Sequence, residues 1–371
     1  MKKILFLIHD LGHGGAEKVL VNLVNHMDTT RFDVSVTALF GGGVNEQFLA
    51  PHVHYRAVFP RSIPGNSHLM KLLTPKQLHR LCVKEHYDIE LSYLEGPSAR
   101  VISGCEDKNT KLVSWIHCTM SSVKDVAASF RSRREAERCY QRFDNMAFVS
   151  AGVRDAFLKY CPRKGKTQVL YNTNESDVIL RKAQEKPDQE CFKSGVFTWC
   201  SVGRLIPVKR FDRMIRIQKR LVDDGYSVRL LILGEGGQYE QLRQQARGCG
   251  IEKEVFFLGY QINPYQYVSR CDLFVCASMS EGFSTAATEA LIVGTPVCTV
   301  EVSGMKEMLG ENNEYGIVTD NDEEALYRGM KQLLDDPALL EHYRKKAKER
   351  GKMFSTENTV RAVENMFLKL Y

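Results

Sequence analysis

CDLFVCASMSEGFSTAATEALIVGTP, residues 271–296, reads as a strand, a turn and a helix in that order. CDLFVCAS is apolar and long enough for a buried strand. The small-residue segment that follows suits a helix ending near Gly294, Thr295 and Pro296. Glu281 comes just before the helix mouth, where the N–H groups of Gly282, Phe283 and Ser284 are expected to point outward with the positive end of the helix dipole behind them. Such a mouth binds anions. No bulky side chain in the first turn (Ser284, Thr285, Ala286, Ala287) keeps a phosphate off the backbone. Glu289 lies eight residues beyond Glu281, which returns it to within roughly 80° of the same face and raises it by up to about 12 Å. One carboxylate can then meet each end of a ligand with a pyrophosphate in the middle and sugar hydroxyls at both ends. Taken alone, such a pair is more often a cap or a surface group, so the surroundings decide.

Outward from this stretch, the chain alternates apolar strand-like runs with helical ones. The first half carries KILFLI, a helix from about Gly15 to His26, DVSVTALF, a helix around Pro75 to Glu85, DIELSYL, KLVSWIH, one long helix, MAFVS and TQVLY. The second carries FTWCSVG, SVRLLILG, VFFLG, CDLFVCAS, PVCTVEV and a short strand near Tyr315 to Thr319, with helices between. Alternation of this kind predicts parallel sheets with helices on both faces: α/β, with two Rossmann-like domains. The boundaries expected are 1–172, a polar linker at 173–194, and 195–354. Ligands in such sheets bind beyond the carboxyl ends of the strands. The tail at about 355–371 places Val360, Val363, Phe367 and Leu370 at helical spacing.

The composition fits two ordinary cores: 371 residues, 43% hydrophobic and 26% charged. The apolar part of MKKILFLIHD is too short for a signal peptide and reads as a first buried strand, and no run approaches the ~20 residues that cross a bilayer. Eleven cysteines without CxxC or Cys/His spacing suit reduced thiols in a cytoplasm and argue against zinc. Of the net +6, residues 1–172 hold an excess of eight positive charges, too mild for a nucleic-acid binder but suited to an anionic lipid or substrate.

In SVGRLIPVKRFD, Arg204 and Lys209 follow a strand and are separated by a proline turn. A guanidinium grips phosphate in a bidentate way, and an ammonium adds a compact charge that can follow a leaving oxygen. Arg210 and Arg213 read as solvated. LGHGGAEKVLVNL, with Gly12, Gly14 and Gly15, opens a helix after the first strand. It is not GxGxxG, since Glu17 stands where a third glycine would be, and this counts against a dinucleotide cofactor. His117 ends the strand KLVSWIH, and His13 is a weaker candidate for reaching an acceptor. Asp320, Asn321 and Asp322 imitate a metal-binding DxD, but Asp322 sits where a helix N-cap is wanted. In SVKDVAASFRSRREAERCYQRF, Val123, Val126, Phe130 and Tyr140 can share a face, while Arg134, Arg138 and Arg142 recur every fourth residue. That stripe is either the wet side of a helix or a contact for anionic membrane or a lipid-linked pyrophosphate.

The run EGFSTAATEALIVGTPV resembles the Glu-x7-Glu signature of retaining glycosyltransferases of the GT-B fold, specifically family 4, and GGAE, GRL…K and LILGEG are similar to that family's other loops. The resemblance implies two domains facing across a cleft, with the terminal helix returning to the first, acceptor-binding, domain. It implies that Glu281 contacts the transferred sugar and Glu289 the ribose, that Arg204 and Lys209 clamp the diphosphate, and that His117 touches the sugar's outer hydroxyls. Gly14 and Gly15 would border the sugar and phosphate, and the loops at Gly234, Glu235, Tyr260 and Gln261 would lie near the nucleotide, without metal. The activity implied is cytoplasmic, retaining transfer from a nucleotide sugar, expected to be a UDP-sugar, to a glycan or lipid-linked acceptor in surface polysaccharide synthesis, with no separate cofactor. The alternatives are a hydrolysing sugar-nucleotide epimerase and a non-catalytic nucleotide-sugar-binding protein. The first would consume its substrate without an acceptor, and the second would bind the donor and release nothing.

Overall fold

The computed structural model describes residues 1–12, 14–62, 70–187 and 189–371, so His13 lies outside the described residues. The chain forms two compact units, Met1–Asn174 with Thr356–Tyr371, and Glu175–Ser355.

The first unit is built on seven parallel strands: β1 (Lys2–Ile8), β2 (Phe32–Phe40), β3 (His54–Phe59), β4 (Ile89–Tyr93), β5 (Lys111–Ile116), β6 (Asn145–Phe148) and β7 (Lys166–Val169), in the order β3-β2-β1-β4-β5-β6-β7. Six of these are the apolar runs read from sequence. The seventh, β3, is the edge strand HYRAVF, whose half-exposed alternation lacks a continuous apolar signal. Helix Gly15–His26 buries Val19, Leu20, Leu23 and Val24 at helical spacing. The second helix is shorter than expected, Pro75–Cys82, started by a capping box between Thr74 and Gln77. The single long helix expected before β6 is two: Val123–Ala127 and Arg133–Tyr140, capped by Ser122 and Ser132 through their hydroxyls. Val126, Phe130 and Tyr140 are buried as the pattern asks. The arginine stripe is broken, because Arg142 lies beyond the helix end and donates to the carbonyls of Ser103 and Cys105.

Helix Thr356–Leu368 closes this unit. Phe367 meets Phe6 and Phe32 with ring centroids 6.0 and 6.2 Å apart, and the Glu364 carboxylate accepts from the Asp28 N–H at 2.7 Å.

The second unit repeats the plan with six parallel strands: β8 (Phe197–Val202), β9 (Val228–Leu233), β10 (Val255–Gly259), β11 (Leu273–Cys276), β12 (Val297–Val300) and β13 (Ile317–Thr319), in the order β10-β9-β8-β11-β12-β13. The crossovers reverse direction between β8 and β11, the position in an open α/β sheet where ligands are bound at the carboxyl ends of the strands. Trp199 of β8 is fully buried. Its indole N–H donates to Gln218 Oε1 at 2.7 Å, and Gln218 in turn donates to the Val228 carbonyl, so the buried indole and the buried amide satisfy one another. The segment 173–194, expected as a linker, contributes helix Ser176–Ala183 to this unit. Only Ile179 and Ala183 form its apolar stripe, too narrow to stand out from polar neighbours. The side chains of Asn263 and Arg270 hydrogen-bond its last carbonyls.

Candidate active site

Three loops at the carboxyl ends of β8, β9 and β11 are stitched together by backbone hydrogen bonds. Leu205 N–H donates to the Glu235 carbonyl at 2.8 Å, Gln238 N–H to the Leu205 carbonyl at 3.0 Å, and Met279 N–H to the Val208 carbonyl at 2.8 Å. Arg204, Lys209, Gly234, Glu235 and Glu281 all stand on this fabric. Gly234 has φ +137, and a Cβ there would lie 2.0 Å from the Gly203 carbonyl oxygen, so only glycine lets the β8 and β9 loops pass so closely. Past the 3₁₀ turn Pro207–Lys209, Arg210 adopts φ +54 to swing the chain into helix Phe211–Asp223, with its guanidinium held by Asp212 at 3.0 Å.

Glu281 is the centre of the polar contacts. Its Oε1 accepts from Lys209 Nζ and from Ser278 Oγ, each at 2.6 Å, distances typical of charge-assisted hydrogen bonds. The Cys276 thiol also points at this oxygen from 3.8 Å. Burial and the neighbouring Glu281 charge raise its pKa, which keeps it protonated and a poor nucleophile. Behind Ser278, Asn321 donates to the Ser278 carbonyl at 3.3 Å and accepts from Arg213 at 2.9 Å. Arg213, expected to be solvated, is therefore a buried brace, and Asp322 caps helix Glu323–Asp335 by accepting from Ala325 N–H at 2.7 Å. Arg204 stays exposed at the loop surface.

The helix after Glu281 runs Thr285–Val293, later than its mouth was placed. Ser284 is the N-cap, accepting from Ala287 N–H at 3.3 Å, so the donors left to the helix start are those of its own first turn, and Gly282 and Phe283 belong to the turn before it. Phe283 is buried with its ring 5.7 Å from Phe354, which anchors the turn. Glu281 precedes the helix and Glu289 lies within it, so the separation of the two carboxylates is set by the turn as well as by helical rise. Glu289 accepts from the Tyr265 hydroxyl at 3.0 Å. At the end of β10, Tyr260 is exposed and its N–H donates to Glu235 Oε1 at 3.4 Å.

Gly14, Gly15 and His117 belong to the first unit. Gly14 is the N-cap of helix Gly15–His26, in extended backbone, and a Cβ there would collide with the Glu17 carboxylate. His117 follows β5 and is buried, its ring 4.4 Å from Tyr93 and 5.6 Å from Trp115. Burial pulls its pKa down to about 3, so the imidazole is neutral, and Nε2 meets no partner among the described residues. The one grouping with metal-ligand chemistry among the described residues also lies in this unit: buried Glu90 with His79 at 2.7 Å and Cys105 at 3.8 Å. The short N···O distance there is that of a hydrogen-bonded ion pair.

Sequence reasoning missed Ser278, Asn321, Arg213 and Tyr265. Ser278 had a signal, the S-x-x-E spacing that puts a hydroxyl within one turn of a glutamate; Tyr265 had none, because its partner lies 24 residues on.

Residues 13–173 match the family described as Glycosyltransferase Family 4, and residues 182–350 match Glycosyl transferases group 1. N-acetylgalactosamine-N,N'-diacetylbacillosaminyl-diphospho-undecaprenol 4-alpha-N-acetylgalactosaminyltransferase of Campylobacter jejuni is 29% identical over 364 residues, covering 95% of this chain and 96% of its own. The lipopolysaccharide core biosynthesis glycosyltransferase LpsD of Rhizobium meliloti is 28% identical over 175 residues, 47% of this chain and 49% of its own. Among solved structures, HepE of Anabaena in complex with UDP superposes with a TM-score of 0.79 at 20% identity, covering 99% of this chain and all of that one. The chain belongs to glycosyltransferase family 4, the group 1 glycosyltransferases, and is a retaining nucleotide-sugar glycosyltransferase of the GT-B fold.

Proposed function

We propose that the chain moves a hexose or N-acetylhexosamine from a UDP-sugar to a hydroxyl of a lipid-linked glycan, with the donor held by the loops after β8, β9 and β11. The observation that carries this is the shared Glu281 oxygen: a carboxylate and an ammonium set side by side at a sheet's switch point suit a ligand with a hydroxyl-rich end and an anionic end. In this reading Glu281 orients the sugar, Glu289 accepts from the ribose hydroxyls, and the loops at Gly234 and Tyr260 flank the nucleotide. Arg204, Lys209 and the amides of the N-cap Ser284 and of Thr285 at the helix start take up charge on the departing diphosphate. The bond from the sugar's anomeric carbon to the phosphate oxygen breaks while the acceptor oxygen bonds to that carbon on the same face. The freed phosphate oxygen takes the acceptor's proton. In the first unit, Gly14 and Gly15 let backbone approach the donor, and neutral His117 offers a hydrogen bond to a sugar hydroxyl.

UDP is the nucleotide bound in HepE, and the Campylobacter jejuni relative is named for a diphospho-undecaprenol acceptor. For such an acceptor we place the enzyme on the cytoplasmic face of an anionic membrane. A cavity lined by Ser132, Arg134, Glu137, Arg138, Gln141 and Pro162 supports contact there through Arg134 and Arg138. No helix among the described residues is long and apolar enough to cross a membrane.

The test is release of UDP from UDP-sugars in the presence of lipid-linked oligosaccharides, comparing wild type with Arg204→Ala. Removing a charged clamp lowers turnover by roughly two to four orders of magnitude. Near-normal turnover in the variant refutes the assignment, and consumption of UDP-sugar without acceptor favours an epimerase.

A further inference from the structure

Tyr265 is not an exposed hydroxyl that happens to lie near Glu289. It is 6% exposed, sits in the four-residue helix Tyr265–Val268 between β10 and β11, and donates to Glu289 Oε1 at 3.0 Å. A second tie runs between the same two helices, from Thr295 Oγ1, just past the end of the Glu289 helix, to the Val268 carbonyl at 2.7 Å. The short helix is held in turn from the other side, where Ser269 and Arg270 donate to the Ala183 carbonyl and Asn263 to the Lys182 carbonyl. The phenol is therefore fixed at both ends of its helix. Its ring has only two torsions, and it presents its hydroxyl to a glutamate side chain that has three rotatable bonds and partial access to water.

We infer that Tyr265 is the positioning residue of the ribose end of the site: by holding one oxygen of Glu289 it aims the carboxylate at the vicinal diol of the nucleotide, and so sets the enzyme's preference for a ribonucleotide over a deoxyribonucleotide. The inference rests on the reading of Glu289 as a ribose contact. A carboxylate accepting from both hydroxyls of a diol must keep its plane fixed. Ordering a rotor-rich side chain at the moment of binding weakens affinity by roughly three- to tenfold, so losing one of the bonds that hold Glu289 beforehand shifts affinity on that scale.

The experiment is calorimetric titration of wild type, Tyr265→Phe, Glu289→Gln and the double variant with UDP and with 2'-deoxy-UDP, using GDP and 2'-deoxy-GDP if UDP does not bind. Phenylalanine keeps the ring's volume, and a thermal melt checks the fold of each variant. Tyr265→Phe is expected to weaken the ribonucleotide by roughly three- to tenfold, to narrow the ribo/deoxy ratio by the same factor, and to have no further effect once Glu289 is Gln. Turnover at saturating donor stays within about twofold of wild type, which separates a binding role from loss of the chemistry. An unchanged ribonucleotide affinity in Tyr265→Phe, or the same loss in the Glu289→Gln background, overturns the positioning role. A Glu289→Gln variant that binds both nucleotides as wild type does refutes the ribose reading itself.

Discussion

Lys209 and Ser278 donate to the same oxygen of Glu281, so this carboxylate is held by two side chains at once. Glu281 holds the Lys209 ammonium in place, while Arg204, five positions before Lys209 in the chain, stays exposed. The buried Ser278 would still hold the carboxylate if the Lys209 ammonium moved away, so the two donors on one oxygen are not redundant. None of this is written in the primary sequence, because a hydroxyl's partner is a tertiary fact, whereas the charges themselves were legible as types at strand ends. His117 makes the same point with a pH signature. Burial lowers its folded pKa to about 3, well below the usual histidine value of about 6.5, so the folded state binds fewer protons than the unfolded chain below neutrality. That contribution to stability is complete above about pH 6.5 and is lost as pH falls toward 3. At about pH 4.5 it removes roughly 2–3 kcal/mol relative to pH 7. Urea unfolding at the two pH values is expected to show that acid loss in wild type and a clearly smaller one in His117→Gln, and equal losses in the two proteins contradict the buried, neutral imidazole.

At the scale of elements, the strands that carry the site were read correctly because each is a short apolar run between turn residues. The misreadings have specific physical causes. The edge strand β3 alternates, and alternation over six residues competes poorly with continuous apolar runs as a signal. The helix taken as one piece before β6 breaks where Ser132 supplies a new N-cap, and the pairs Ser122/Asp125 and Ser132/Glu135 carry the S-x-x-D/E spacing that marks two starts. The helix after Glu281 begins at Thr285 because Ser284 satisfies the amide at Ala287, which a count from Gly282 does not anticipate. What joins these elements into a site is the packing of loops, and Gly234 tests it. Gly234→Ala would force a Cβ to 2.0 Å from a carbonyl oxygen at a φ that L-residues avoid, so the β8 and β9 loops must separate, at a cost of about 2–5 kcal/mol. Gly237, three residues on, faces open space, and Gly237→Ala is expected within about 0.5 kcal/mol of wild type. Chemical denaturation of the pair checks this, and comparable destabilisation in both would show that the close approach does not constrain the loops.

For the molecule as a whole, the chain passes from the first unit to the second at Asn174–Glu175 and returns at Ser355–Thr356. The final helix was legible as a helix from Val360, Val363 and Phe367, but periodicity says only that one face is apolar and not which unit will cover it. Its destination was implied by family resemblance alone. The contacts that settle it are long-range in sequence: Phe367 on Phe6 and Phe32, Glu364 on the Asp28 amide, and Thr356 on the Asn174 carbonyl at 2.7 Å. Phe367 is 1% exposed, so Phe367→Ala removes a large buried ring and leaves a cavity between the helix and β1, at a cost of about 3–5 kcal/mol. That loss should fall on the first unit alone, because none of those contacts belongs to residues 175–355. Hydrogen exchange on the intact chain reads the distinction directly. Amides of β1, β2 and β4 are expected to exchange faster in the variant while those of β8, β9 and β11 keep wild-type protection. Faster exchange spread evenly over both sheets would mean that the two units unfold as one, and that the returning helix stabilises more than the sheet it packs on.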